Sequence, residues 1–537
     1  MNEFLTDWGL SLAIFLPLVG ALVIMAIPRS EEQAHKWVAL ITSGAVLALG
    51  VLFLFDFDYD NAGDLQYMVN ERWIDVIDSR YIVALDGISL PLMMLTMLIV
   101  PLCVIYSWEH FPDPHNPKAF LSLILILETG MIGTFLAQDL VLFFVFFEVV
   151  LLPMFFMIAV WGGEDRRYAS LKFFLYTLFG SALMLVSFLA LYFLAGADTW
   201  AFTGLAEGVV TEEMSRTAQL WVFGGMLLGF GIKVPIFPFH TWLPDAHTQA
   251  PTVGSVILAA VLLKLGTYGF VRIAIPILPD AAVEWAPWIG LLAVIGIIYG
   301  ALACLAQTDM KRLIAFSSVS HMGFVMLGIA TLTDFGINAA VFGMVAHGLI
   351  TGMLFFLAGS VKERYHTLEI SRLGGLLVSA PRMGWILGFC VMASLGLPGL
   401  AGFWGEFPAI LASYSPANGL PIGVFRAFMV IAAVGTVLAA GYLLWLLQRT
   451  AFGRPKDEFA DDPEITDTNN WEWLAWSPLL ALIVVLGLFP NIIFSTTDPA
   501  VVESLDSCLS VEADDPAAAG CDEVYDLDTV AAGETEG

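Results

Sequence analysis

Lys233–His240 reads KVPIFPFH, a base, two prolines and a histidine set at the end of an otherwise apolar run. Pro235 and Pro238 each remove a backbone donor and clash with the preceding turn, so a helix entering this stretch must break. A second break lies at Gly396–Glu406, GLPGLAGFWGE, where Gly396, Pro398, Gly399, Gly402 and Gly405 weaken the helix just before an acid. Irregular backbone at membrane depth is tolerated only where protein or a wet cavity surrounds it. In transporters, paired interruptions at corresponding places in two repeats mark the transport site.

The surrounding composition sets both breaks in a membrane. Of 537 residues, 58% are hydrophobic and 13% charged, and the mean hydropathy is +0.82. A spanning helix needs about 20 mostly apolar residues. Fourteen such segments are expected, at 9–27, 37–55, 88–108, 119–137, 140–161, 172–195, 218–238, 253–275, 285–305, 312–332, 335–360, 383–412, 422–448 and 473–494. The fold class is therefore an all-α polytopic membrane protein. The first segment does not read as a cleavable signal peptide, because no positive charge precedes it. Break seven is the fourth member of a block 4–8 (residues 119–275), and break twelve the fourth of a block 9–13 (285–448). Five helices is an odd number, so consecutive blocks enter from opposite faces and form two inverted repeats. Residues 1–118 supply three leading helices with an acidic external loop, 473–494 a fourteenth helix, and 495–537 a disordered acidic tail.

Charge placement orients the bundle. With the N-terminus outside, alternate loops assigned to the cytoplasm hold 15 of the 22 Lys and Arg residues, and the outside loops only Arg72, Arg80, Arg216 and Arg426. That asymmetry supports fourteen spans with both termini outside. The net charge of −28 is largely external, with eight acids between Asp56 and Asp86 and twelve after residue 497. Cys103, Cys304 and Cys390 read as small packing residues within spans. Cys508 and Cys521, in the external tail, form a disulfide or remain two free thiols. No Walker, dinucleotide-glycine, CxxC or HExxH pattern occurs, so no cofactor, metal or nucleic-acid site is expected in this chain.

Four ionisable residues fall within the apolar stretches. Glu148 lies in FFVFFEVVLLPMFF, Lys264 in ILAAVLLKLGTYGF, and Lys233 and Glu406 sit at the two breaks. One charge at a helix centre in lipid costs roughly 2.5–3.5 kcal/mol on insertion scales. A single such residue is as well explained by helix-to-helix pairing; four, two of them at breaks, point to a charge or proton pathway. Glu148 and Lys233 are expected to pair ionically, and Glu148, Lys233 and Lys264 to form a polar line near the midplane. His240, after the first break, and His321 and His347, within spans, can bridge gaps because imidazole titrates near neutrality. Structural hydrogen bonding is the competing role for each. Glu128 and Glu109 are secondary candidates for entry or coupling, with helix packing the alternative.

KVPIFPFHTWLPDAHTQAPTVGS (233–255), DMKRLIAFSSVSHMGF (309–324) and GLPGLAGFWGEF (396–407) resemble the signature stretches of the antiporter-like membrane subunits of complex I, NADH-quinone oxidoreductase. The resemblance spans about residues 85–450. It implies a half-channel in each repeat, joined by a lateral chain of Lys, His and Glu. It assigns Glu148 as the helix-five acid, Lys233 as the helix-seven base, Lys264 as the connecting base and Glu406 as the terminal group. A Glu at the terminal position, where related subunits typically have Lys, resembles the branch called subunit M or chain 4. The resemblance also implies partners: the other membrane-arm subunits, including two related antiporter-like ones, in a bacterial cell membrane. FMN, iron–sulfur clusters, NADH and quinone would belong to partner subunits. The alternatives are the large subunit of a multisubunit cation/proton antiporter, a membrane-bound hydrogenase subunit, or an inert scaffold whose charges lock helices together.

Overall fold

The computed structural model describes residues 3–206, 214–460 and 462–509. Among these, twelve single helices are long and apolar enough to cross a membrane: Leu5–Ala26, Glu32–Asp56, Ser89–Tyr106, Pro117–Leu136, Leu140–Trp161, Arg166–Leu194, Thr252–Ile277, Pro279–Leu305, Met310–Ala330, Asp334–Tyr365, Ile422–Thr450 and Asn470–Leu488. The two segments expected to be interrupted appear as helix pairs. The first is Arg216–Lys233 followed by Trp242–Gln249, and the second Pro381–Ser394 followed by Ala401–Ala412. Burial separates the helices by role. Residues 336–361 of the Asp334–Tyr365 helix are all buried, and the Thr252–Ile277 and Met310–Ala330 spans are nearly so, whereas Glu32–Asp56 and Ile422–Thr450 expose long apolar faces. A helix apolar on all sides belongs in the core or in lipid, and these two classes are those two settings.

A tryptophan anchors the chain at each break. After Lys233 the chain overshoots, with the Ile236 amide donating to the Gly231 carbonyl at 2.8 Å, and the Ile232 carbonyl loses its helical donor. The indole Nε1 of Trp242 donates to that carbonyl at 2.9 Å. At the second break, Gly396 and Gly399 take positive φ (79° and 94°), a region open to glycine at little steric cost. There Trp404 donates its indole N–H to the Gly487 carbonyl at 2.8 Å, pinning the re-started helix to Asn470–Leu488. Gly405 meets Gly343 so closely that a Cβ on Gly405 would lie 2.4 Å from the Gly343 Cα. This contact seats Glu406 against the Asp334–Tyr365 helix.

Two regions depart from the sequence reading. The chain expected to be all-α carries a hairpin, in the acidic loop between its second and third helices, where Gln66–Ile74 and Ser79–Leu85 pair antiparallel. Its Ser79 hydroxyl and Arg80 amide donate to the Asp139 carboxylate at 3.0 and 3.1 Å, the same carboxylate that caps the Leu140–Trp161 helix. The expected disorder is corrected for residues 495–509; the rest of the expected tail, 510–537, lies outside the described residues. Asn491–Leu509 is a helix, held where Asn338 donates to Asp498 at 2.7 Å and Thr497 donates to Asn338 at 2.5 Å. Burial and the nearby Asp334 carboxylate push the Asp498 carboxyl up from its usual range. Polar groups spaced on an acidic helix give it partners that composition alone does not reveal. Cys521 and the Cys508 side chain lie outside the described residues, so the disulfide expectation does too; Cys103, Cys304 and Cys390 are buried free thiols.

On the opposite face, Arg364 forks onto Glu472 with two 2.8 Å bonds, and both side chains are buried. Removing one partner of such a pair typically costs about 3–5 kcal/mol. Arg364→Ala is therefore expected to lower the thermal stability of the assembled complex by more than any surface Arg→Ala change. Trp242→Phe keeps the ring but strands the Ile232 carbonyl, a loss of about 1–3 kcal/mol. Thermal unfolding of detergent-solubilised complex checks both.

A buried lysine–histidine–histidine–glutamate line

Lys264 sits at the centre of the molecule with 0% exposure. Its helix, Thr252–Ile277, is not a regular α-helix: π-turns occupy Leu258–Leu262 and Phe270–Ala274, one on either side of the lysine. Such bulges free carbonyls from the ladder and are frequent at functional sites. The Lys264 Nζ donates to the Ala259 carbonyl, inside the first π-turn, at 2.5 Å. Its second partner is the His347 Nδ1, at 2.7 Å. Among the described residues no carboxylate lies within ion-pair distance of it.

The line continues across the Asp334–Tyr365 helix. His347 and His321 face each other with ring centroids 6.0 Å apart. His321 Nδ1 lies 2.5 Å from Glu406 Oε1. The other nitrogen of His321 is met by the Ser394 hydroxyl at 3.2 Å and the Tyr442 hydroxyl at 3.1 Å. His347 Nε2 and Glu406 Oε2 are buried with no hydrogen-bond partner in the protein. Both residues line a cavity with about 20 Å³ open to water centres, shared with His321, Thr351 and Ser394. One water needs roughly 10–15 Å³ by that measure and two to four polar partners. The cavity therefore accommodates the single molecule that would join the two rings and the carboxylate.

The other end of the line is built differently. Lys233 is buried, and its ammonium lies over the Phe147 ring at 4.7 Å from the centroid. The expected Glu148–Lys233 ion pair is not made at contact distance. Glu148 is only partly buried, and its nearest polar influences are the Ser181 hydroxyl and the Lys233 charge. The intervening phenylalanine replaces contact with a cation–π interaction. Lys233 reaches the lysine-bearing helix through Gly266, where an added Cβ would lie 3.1 Å from Lys233 Cβ and 2.6 Å from the Phe230 carbonyl.

Four of the nine candidate side chains thus form one continuous set: Lys264, His347, His321 and Glu406. Glu148 and Lys233 stand beside it. His240 instead packs among Phe237, Tyr299 and Phe316. Glu128 is fully buried with both carboxylate oxygens lacking a hydrogen-bond partner. Glu109 is at the surface, accepting from Asn469 at 2.8 Å, a tie between chain segments rather than part of the line. Pro235 and Pro238 mark the turn after Lys233, and Pro398 the loop before Glu406. Sequence reasoning missed Ser394 and Tyr442, for which a hydroxyl just before a break and a tyrosine within a span were available signals.

Residues 137–433 match the family model described as NADH:quinone oxidoreductase/Mrp antiporter, TM, and residues 12–134 match that of the NADH-ubiquinone oxidoreductase chain 4 amino terminus. The chain belongs to the NADH:quinone oxidoreductase/Mrp antiporter transmembrane family. It is 40% identical over 506 residues to NAD(P)H-quinone oxidoreductase chain 4 3 of Trichormus variabilis, covering 94% of this chain and 92% of the relative. It is 39% identical over 515 residues to NADH-quinone oxidoreductase subunit M of Rhodobacter capsulatus, covering 92% and 95%. A chain in the structure of respiratory complex I from Thermus thermophilus with bound NADH is similar over 93% of this chain and 99% of its own, with TM-score 0.82 and 30% identity. The Mrp complex from Dietzia sp. DQ12-45-1b matches at TM-score 0.78 and 21% identity, over 93% of this chain and 51% of that one, a likeness of fold. As a member of the family the chain is a multi-pass membrane protein that partners other membrane-arm subunits.

The geometry predicts different weights for the two groups on His321. Tyr442→Phe removes one hydroxyl and leaves Ser394 in place, so coupled proton uptake should fall by less than about ten-fold. His321→Ala opens the line, and its loss should approach the 10²–10⁴-fold contribution of a positioned proton carrier. Proton uptake by membrane vesicles containing each assembled variant distinguishes the two.

Proposed function

We propose that this chain is a proton-translocating membrane-arm subunit of an NADH:quinone oxidoreductase in a bacterial cell membrane. In this reading protons cross by way of Glu148, Lys233, Lys264, His347, His321 and Glu406, and electron transfer takes place in partner subunits. The observation that carries it is the Lys264–His347 contact: a fully buried lysine nitrogen bonded to an imidazole and a carbonyl, with no carboxylate beside it among the described residues. A lysine locked by an ion pair serves structure. A lysine facing an imidazole nitrogen can pass its proton along without first breaking such a pair.

The steps follow from the residues. Lys233, held over Phe147, delivers a proton towards Lys264 across the close helix contact at Gly266. Lys264 gives its Nζ proton to His347 Nδ1. A water in the adjoining cavity carries the proton from the His347 side to His321 or to Glu406. Glu406, at the second break, releases it outward. The two blocks, 119–275 and 285–448, act as inverted repeats that each supply a half-channel, with both termini outside. No redox chemistry is assigned to the chain itself; FMN, iron–sulfur clusters, NADH and quinone belong to its partners. The relatives at 39–40% identity favour this reading over a cation/proton antiporter, for which the likeness is one of fold.

Lys264→Ala should sharply reduce NADH-driven pumping in complex that still assembles. Lys264→Arg should also impair it, because guanidinium keeps its charge at any workable pH and cannot hand on a proton. Proton uptake measured alongside quinone reduction in vesicles is the test. Full pumping by the Arg variant would assign Lys264 a purely structural charge.

A further inference from the structure

Thr351 lies one helical turn after His347 in Asp334–Tyr365 and is 1% exposed. Threonines in other spans return the hydroxyl to the carbonyl four residues back: Thr96 to Leu92, Thr134 to Gly130, Thr177 to Phe173 and Thr450 to Leu446, at 2.7–3.0 Å. That bond gives a hydroxyl in an apolar helix a partner within its own segment. For Thr351 the acceptor would be the His347 carbonyl, and the bond is not made. Among the described residues the Thr351 hydroxyl has no hydrogen-bond partner. A buried polar group without a partner in the protein is an exception that needs a reason.

Its position supplies one. Thr351 lines the cavity of about 20 Å³ that it shares with His321, His347, Ser394 and Glu406, and the rest of that wall carries no polar side chain. Both nitrogens of His321 are already met, Nδ1 by Glu406 Oε1 and Nε2 by the Ser394 and Tyr442 hydroxyls. Three polar groups on the wall are left without a protein partner: His347 Nε2, Glu406 Oε2 and the Thr351 hydroxyl. A buried water makes about three hydrogen bonds, and the volume suits one molecule. The three groups are also complementary. His347 Nδ1 faces the Lys264 Nζ at 2.7 Å. With Nδ1 accepting, the neutral ring carries its proton on Nε2 and donates there, while the Glu406 carboxylate accepts. A hydroxyl donates or accepts, so it meets whichever valence the water has left.

We infer that Thr351 is the positioning residue for the water that carries a proton from His347 Nε2 to Glu406 Oε2. The water takes the Nε2 proton as it passes one of its own to the carboxylate, so one proton moves and no co-reactant is needed. Held by the ring and the carboxylate alone, the molecule could swing about the line between them. The third bond, one turn from His347 on the same helix, fixes its oxygen within reach of both. This role rests on the relay reading given above.

The test uses assembled complex in sealed vesicles and two replacements that separate hydrogen bonding from shape. Thr351→Val keeps the shape and removes the hydroxyl; Thr351→Ser keeps the hydroxyl and removes a methyl. NADH-driven proton uptake is expected to fall about two- to ten-fold in the Val variant, the factor that one hydrogen bond is worth, and to be retained in the Ser variant. A packing role predicts the reverse order, because Ser leaves a methyl-sized void. If the Val variant does not assemble, Thr351→Cys, close in size and a weak hydrogen-bonding partner, is read in its place. Full uptake by the Val variant, or uptake as low in the Ser variant as in the Val variant, would overturn the inference. If Lys264→Arg is impaired while Thr351→Val is not, the positioning role fails and the relay stands. If both pump fully, the relay reading fails and the positioning role with it.

Discussion

The buried nitrogen of Lys264 is the constraint around which the rest is arranged. A bilayer offers no water to a buried polar group, which must find its partners within the protein. Here those partners are one carbonyl released by a π-turn and one imidazole nitrogen. That requirement accounts for the departure of Thr252–Ile277 from α-helical geometry, for its near-complete burial, and for the buried middle of the Asp334–Tyr365 helix running beside it.

The same logic governs the helix breaks. A freed carbonyl must be met, and at the first break the Trp242 indole meets that of Ile232; at the second, the Trp404 indole ties the restarted helix to the Gly487 carbonyl of the neighbouring Asn470–Leu488 helix. The breaks therefore need not be points of disorder. They change the direction of the chain so that Lys233 and Glu406 face inward on short, fixed stretches. Close glycine contacts, Gly266 to Phe230 and Lys233 and Gly405 to Gly343, bring those stretches against the two central helices.

Much of this was legible in the chain before the structure. Apolar run length located the spans, because a bilayer demands length more than detail. Pro235, Pro238 and the glycines around Pro398 located the breaks because no helix accommodates them. Four charged residues in apolar surroundings pointed to the site. Pairing was harder to read. The Glu148–Lys233 pair looks direct on paper, yet the Phe147 ring intervenes, a matter of side-chain direction that spacing does not encode. Whether His321 and His347 act in the line or only pack was open, since the answer depends on how the Met310–Ala330 and Asp334–Tyr365 helices are rotated. The helix at Asn491–Leu509 was hidden by its acidic composition, because its order comes from Asn338, 159 residues from Thr497.

The account's central claim is that the terminal carboxylate receives the protons that Lys264 releases. Glu406→Gln tests this most directly, since the amide keeps the shape and the bond to His321 but cannot titrate. The measurement is the number of protons translocated per NADH oxidised by the assembled complex in sealed vesicles. The account predicts a ratio below that of the unaltered complex. An unchanged ratio at unchanged turnover would contradict it.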